Sequence, residues 1–237
     1  MNYTTLNIEN LAALWTLVAQ ASGDYQCIKG VKTAFINDSE WPNRIWSSTD
    51  NIPLSILTAK NTDYRNTRLS MFGAPISPAS ALAKELDLAS QQFGMHLQPT
   101  ALDTEGHDEL TFSKVTTEQH AQLWSATFAS AFGYQIPAST VFKTSETIAF
   151  YNIYKQNTLV GTVFTFTTGT VLGIHSLGIP PQHRRKGYAR KIMKSLIRQA
   201  VQNQQQLICL QASKMAKPLY QDLGFQEDFM MYNYRIK

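Results

Sequence analysis

The sequence predicts an α/β fold, an α+β mixed sheet with helices packed on it, and three observations carry that expectation. The stretches "TIAFYNIYKQ" (147–156), "LVGTVFTFTT" (159–168) and "VLGIHSLGI" (171–179) are rich in β-branched and aromatic residues, which favour half-buried strands. Ile192, Met193, Leu196, Ile197, Ala200 and Val201 recur at three- and four-residue spacing, marking one face of a helix over roughly 187–203. "QLICLQA" (206–212) is short and nearly all apolar, the pattern of a strand buried on both faces.

Taken in chain order, the first element is a helix, because Ile8, Leu11, Leu14, Trp15 and Val18 fall on one helical face. The same run, "LAALWTLVAQA", imitates the core of a secretory leader. The residues before it carry Glu9 and no Lys or Arg, so no signal peptide is expected. Strands are expected over "VKTAFI" (31–36), "LSILTAK" (54–60) and "RLSMFG" (68–73), and a helix over "ASALAKELDLASQQFG" (79–94). Pro99 and the polar "DTEGHDE" (103–109) predict a boundary, giving an N-terminal α/β region at 1–105 and a second unit at 106–237.

The second unit opens with a strand within "ELTFSKVT" (109–116), followed by a helix over "TEQHAQLWSATFASAFG" (117–133) that Gly133 ends. "PASTVFK" (137–143) adds one or two helical turns. Three strands follow, with turns expected at Asn157-Thr158 and Gly169-Thr170. After the Pro180-Pro181 breaker come the long helix, the apolar strand, a short helix in "KMAKPLYQDLG" (214–224) and a last strand over "FMMYNYRI" (229–236).

Charge narrows the partner. The chain of 237 residues carries a formal net charge of +4. Between His183 and Arg198 lie Arg184, Arg185, Lys186, Arg190, Lys191, Lys194 and Arg198, with no acid among them. Without those seven the balance is 14 basic against 17 acidic residues, so the positive charge is one local patch. A compact anionic ligand fits such a patch better than a long polyanion, and no nucleic-acid partner is expected. No apolar run approaches the roughly 20 residues of a membrane span. Cys27 and Cys209 lie far apart and lack metal or redox spacing, so both are expected reduced, in packed interior, in a cytoplasmic protein. His96, His107, His120 and His183 show no metal-ligand spacing, and no metal site is expected.

The patch opens a helix at Arg184-x-x-Gly187-x-Ala189, directly after a strand and two prolines. The first turn of a helix presents unpaired N–H groups, and its dipole favours negative charge. A glycine there admits a ligand close to the main chain, so the stretch reads as a seat for a diphosphate.

In "LGIPPQHRRKGYA" (177–189) and "LQASKMAKPLYQDLGF" (210–225) the chain resembles the GNAT superfamily of acetyl-CoA-dependent N-acetyltransferases, over about 107–237. The resemblance implies a GNAT-like acyl-CoA fold in the C-terminal half and acetyl-CoA as acyl donor. It implies that the strands 171–179 and 206–212 part to admit the pantetheine arm, and that the main chain of Leu177, Gly178 and Ile179 pairs with it. It further implies that Arg184, Arg185, Lys186, Gly187, Tyr188 and Ala189 hold the phosphates. Ser213 stands where many relatives have a cofactor-contacting Asn. Tyr220, in "LYQDLGF", is the implied general acid for the departing thiolate. Many relatives place a glutamate base where this chain has Gly173, which has no side chain. His175, two residues on, matches a strand histidine of one relative and is either the proton acceptor or a hydrogen-bonded sheet histidine. Glu146 is a more distant candidate.

The expected activity is transfer of acetyl to a primary amine, of a small molecule or a peptide, by direct attack in a ternary complex. The alternative is a non-catalytic acyl-CoA sensor. Residues 1–105 are either a degenerate second GNAT-like unit or an unrelated cap, and the chain either a monomer or a homodimer.

Overall fold

The computed structural model describes residues 2–47, 52–53, 67–100 and 110–237. The N-terminal half contributes helix α1 (Tyr3–Ser22) and strands β1 (Asp24–Ile28), β2 (Val31–Phe35), β3 (Arg44–Ser47), β4 (Arg68–Phe72) and β5 (Leu86–Leu97). The C-terminal half begins with β6 (Thr111–Lys114), α2 (Glu118–Phe132), α3 (Ala138–Thr144), β7 (Ala149–Lys155), β8 (Thr158–Thr168) and β9 (Val171–Gly178). It closes with α4 (Tyr188–Gln202), β10 (Leu207–Ala212), α5 (Lys217–Asp222) and β11 (Gln226–Ile236).

Among the described residues eleven strands join one mixed sheet in the order β1-β2-β3-β4-β11-β5-β10-β9-β8-β7-β6. That order has an internal symmetry. Reversing it about the β11/β5 pair exchanges β4 with β10, β3 with β9, β2 with β8 and β1 with β7, leaving only β6 unmatched. The strand directions agree: β3/β4 and β9/β10 are parallel pairs, and β11/β5 is antiparallel, as a two-fold axis requires. Each half lends its last strand to the other, since β11 lies between β4 and β5, and β5 between β11 and β10.

Local rules account for most elements. Asn2 caps α1 by accepting from Thr5 N, and Leu11, Leu14, Trp15 and Val18 are buried as their spacing foretells. Thr117 caps α2 through His120 N, and Gly133 ends it in the left-handed region at φ 80°. Adjacent residues fall into different cores, Phe164 with Trp124, Phe128 and Trp15, but Val163 with Ile192, Met193 and Leu196. The two cores therefore lie on opposite faces, α1–α3 covering one and α4–α5 the other.

Several expectations are corrected. The helix expected over 79–94 is a 3-10 turn (Ala81–Glu85) followed by β5. Its Ala- and Leu-rich composition favours helix, but β10 and β11 each offer an edge that this segment fills, pairing on both sides. Gly94 marks the fit: a Cβ there would stand 2.2 Å from the Phe229 ring. The hairpin turn falls at Gln156-Asn157, one residue early, while Gly169-Thr170 turns as expected. Cys27 is exposed on edge strand β1 rather than buried, whereas Cys209 is buried; both are free. Arg198 is buried in α4 and does not belong to the exposed basic patch. β1 and β3 were not anticipated, and the strand expected at 54–60 lies outside the described residues.

Candidate active site

Strands β9 and β10 pair only at Val171–Leu207, Leu172–Ile208 and Gly173–Cys209. Beyond Gly173 they part, leaving Ile174–Gly178 and Leu210–Ala212 to face a gap with main-chain groups available to an extended ligand. The gap has a second cause. On the other side of β9, Phe164 pairs with His175 but Thr162 with Gly178, so one residue of β8, Val163, faces two of β9, Ser176 and Leu177. That bulge carries Ser176 at φ 53° and re-aims the strand end.

Strict alternation along β9 would put His175, Leu177 and Ile179 on one side, and the bulge breaks it. His175 lies with Asn10 and Phe164 on the α1 face. Leu177 and Ile179 pack with Leu172 and Ile174 on the α4 face. The inserted residue flips the parity after His175.

At the far end of β9 the chain enters the Arg184–Ala189 turn. Gly187 adopts φ 77° at the N-cap of α4, where no side chain caps the helix. A Cβ on it would meet nothing within 4 Å, so there is free space beside the turn, and the first N–H groups of α4 carry no side-chain cap. Arg185 and Lys186 are exposed beside it, with Arg185 also left-handed at φ 63°. Tyr188 is half-buried with its ring against His183, and Ala189 begins the helix. Arg184 does something different with its side chain: Nε donates to Ile179 O at 3.0 Å and Nη2 to Ala131 O at 2.8 Å. Its guanidinium ties the turn to β9 and to the end of α2. Gly178 is a packing glycine, since a Cβ would stand 2.6 Å from the Phe132 ring.

A cavity of about 490 Å³ joins this gap to the N-terminal half. On the gap side it is lined by Ser176, Leu177, Ala212, Ser213, Ala216 and Tyr220. Ser213 Oγ accepts from Ala216 N at 3.2 Å, which leaves its hydroxyl proton free to be donated. Tyr220 is buried against Phe225, and burial pushes its phenol up to about 12, so it keeps its proton at neutral pH. Glu146 is exposed and does not line the cavity.

His175 is only 8% exposed and lines the same cavity. Burial pushes its pKa down to about 4, against a hydrogen bond with Gln211 that raises it, so the imidazole is neutral at pH 7. Its Nε2 lies 3.4 Å from Asn10 Oδ1. Asn10 is in turn fixed by donating to Phe166 O and Thr168 Oγ1. The polar chain continues from Gln211 Nε2 to Asn7 Oδ1 at 2.7 Å, then from Asn7 Nδ2 to Asp228 Oδ2, whose partner oxygen meets His96 Nδ1 at 2.6 Å. Sequence reading missed Asn7 and Asn10. The available signal was two polar residues three apart on the apolar face of α1, both 0% exposed.

The remaining wall comes from the N-terminal half and was also not anticipated: Trp15, Glu40, Trp41, Arg44 and Arg68, with Tyr134 from the loop after α2. Asn43 shapes the turn that carries Glu40 and Trp41, accepting from Ile36 N and donating to Ser39 O. Among the described residues no group of three or more His, Cys, Asp or Glu could hold a metal ion, and no helix is long and apolar enough to cross a membrane.

A parted pair of parallel strands that leads to an open helix N-terminus defines the scaffold of an acyl-CoA-dependent acyltransferase. Residues 111–230 match the model of the acetyltransferase (GNAT) domain, and the chain belongs to that family. A GCN5-related N-acetyltransferase from Kribbella flavida superposes with a TM-score of 0.66 at 16% identity, covering 98% of this chain and 96% of its own. A functionally unknown conserved protein from Staphylococcus epidermidis gives 0.63 at 13%, covering 92% and 96%. A GCN5-related N-acetyltransferase from Sphaerobacter thermophilus gives 0.57 at 13%, covering 86% and 76%. At these identities the likeness is one of fold, and it extends over both halves. A search of the curated proteins finds no match.

Proposed function

We propose that the protein transfers acetyl from acetyl-CoA to an amine by direct attack. The observation that carries this reading is the parting of β9 from β10 beyond Gly173–Cys209, in line with the open turn at Gly187. The residues present fit coenzyme A: main-chain N–H groups of 185–189 for the diphosphate, Arg185 and Lys186 for a further phosphate, the main chain of Leu177–Ile179 for the pantetheine arm, and Ser213 beside it. Bound there, acetyl-CoA supplies the acetyl group on its thioester.

The chain's own groups move the protons. The C–N bond forms as the C–S bond breaks, the amine nitrogen gives up a proton and the sulfur takes one. Tyr220 holds its proton at every working pH and donates it to the sulfur. His175, neutral and set by Asn10 and Gln211, accepts from the amine. The cavity draws walls from both cores, which supports entry of acceptor and donor from opposite faces of the sheet.

The symmetric strand order supports reading residues 1–105 as a degenerate second GNAT-like unit that has become the acceptor wall. A second reading, an acyl-CoA sensor without turnover, is favoured by one feature: Asn10 fills the space in which a carboxylate on residue 173 would stand. Thiol release from acetyl-CoA, followed over a panel of small amines and peptides, separates the two. Amine-dependent release supports the enzyme. Tight CoA binding with no release for any amine overturns it in favour of the sensor.

A further inference from the structure

Two arginines stand side by side on the acceptor wall. Arg44 and Arg68 are register partners on the parallel strands β3 and β4, and both line the cavity. Arg235 on β11 is the next partner of Arg68. Like charges in neighbouring register positions repel, and a fold keeps such a row only where something offsets it.

Protein groups offset it incompletely. Arg44 Nη1 donates to Ser70 Oγ at 3.0 Å and to Asn233 Oδ1 at 2.6 Å, and its guanidinium lies 5.0 Å from the Trp15 ring centre. Its Nε is buried without a partner, and so is one Nη of Arg68. Among the described residues neither arginine forms an ion pair. The nearest acid in effect is exposed Glu40, which acts on Arg68 without bonding to it. Arg44 is pushed down to about 10, chiefly by burial, with the Tyr134 phenol opposing the shift and Arg68 adding to it. Both remain cationic at neutral pH. Among the described residues the guanidinium groups of Arg44, Arg68 and Arg235 face one carboxylate, Glu40, which leaves positive charge in excess beside the cavity.

From Arg44 a floor of neutral polar groups crosses the sheet. Asn233 Nδ2 donates to Ser90 Oγ and Gln92 Oε1, Gln92 Nε2 donates to Gln211 O, and Gln211 bonds His175. The anion-seeking end and the proton-accepting end thus share one polar strip.

Resting on the acetyl-transfer reading above, we propose that the acceptor is an amine that also carries a carboxylate, an amino acid or the like, and that Arg44 and Arg68 seat the carboxylate. A planar carboxylate matches the guanidinium fork and the excess of positive charge. The amine end then reaches toward His175.

The test is a titration of the CoA-saturated full chain with N-acetyl-L-alanine and N-acetyl-L-alaninamide, read by the fluorescence of Trp15 and Trp41. These probes mimic product, so no turnover is needed. The carboxylate is expected to bind roughly 10- to 100-fold more tightly than the amide, with Arg68→Gln reducing the difference to about two-fold. Among the described residues Arg68 makes no side-chain hydrogen bond, so this variant removes none from the fold, and a thermal melt of the variant confirms that it is folded. Arg44→Lys, which keeps charge but loses the fork, is expected to lose about ten-fold. Equal binding of amide and carboxylate overturns the proposal, as does a preference that survives both changes. Preference for O-phosphoethanolamine over either probe replaces carboxylate with phosphate. If CoA itself fails to bind, acetyl transfer falls, and the same titration without CoA still reads the anion site.

Discussion

Asn10 Oδ1 lies 3.4 Å from His175 Nε2 and occupies ground that any side chain on residue 173 would need. A Cβ built on Gly173 would stand 2.1 Å from that oxygen and 2.4 Å from His175 Nε2. The helix of the N-terminal half thus reaches through to β9 and sets the histidine. Gly173→Ala is expected to destabilise the protein by about 1–3 kcal/mol through overpacking. Asn10→Ala alone leaves Phe166 O without its side-chain donor and costs about 1 kcal/mol. The double variant is expected to be less destabilised than the two single ones added, and chemical denaturation of all four proteins measures the coupling. Strict additivity would show that the two positions do not compete for space.

His175 makes stability depend on pH, and the sign follows from the direction of its shift. Its folded pKa is depressed to about 4 from an ordinary 6.5, so the unfolded chain binds the proton first as pH falls. The contribution is intact above about 6.5 and is lost between there and 4. A shift of that size is worth about 3 kcal/mol at full effect. Denaturation midpoints should therefore decline from pH 7 toward pH 4, and His175→Gln should flatten that slope. A ring titrating near 6.5 by NMR in the folded protein would contradict the buried, neutral state.

The C-terminal half was legible because its elements obey local rules: the period of α4, the apolar run of β10, the caps of α2. The turn at Gly187 that opens α4 was legible as well, since a helix N-terminus announces itself in consecutive residues. What could not be read depends on contacts far along the chain. β5 is a strand because β10 and β11 flank it, although its composition favours helix. The bulge at Ser176 reverses which side chains face the α1 side, and no residue there advertises it. Asn10 and Arg44 meet the site from strands and helices more than a hundred residues away from His175 in sequence, and only the swapped strands bring them there.

Tyr220 is the clearest catalytic test. On its proposed role, Tyr220→Phe removes the proton for the sulfur and leaves the packing against Phe225 in place. The expected loss in kcat is on the order of 100-fold or more, with CoA affinity unchanged. The phenol's raised pKa of about 12 adds a second expectation, that the wild type shows no loss of acid function up to about pH 11. Single-turnover rates across that range, paired with CoA titrations, decide it. A variant with full activity would return Tyr220 to core packing.

The turn proposed to seat the phosphates separates two kinds of arginine. Arg184 spends its side chain on Ile179 O and Ala131 O, so Arg184→Ala should loosen the turn and lower thermal stability. Arg185→Ala and Lys186→Ala, by contrast, should leave stability within about 0.5 kcal/mol, as exposed changes do. They should weaken CoA in a salt-dependent way and affect dephospho-CoA less, if those cations serve the ribose phosphate. Gly187→Ala combines both effects. Its φ of 77° makes a side chain cost about 1–2 kcal/mol in the free protein, and the methyl would protrude where a phosphate approaches the helix. Calorimetry at two salt concentrations, with CoA and dephospho-CoA on each variant, resolves these contributions. Undiminished CoA binding by Gly187→Ala would show that the diphosphate sits elsewhere.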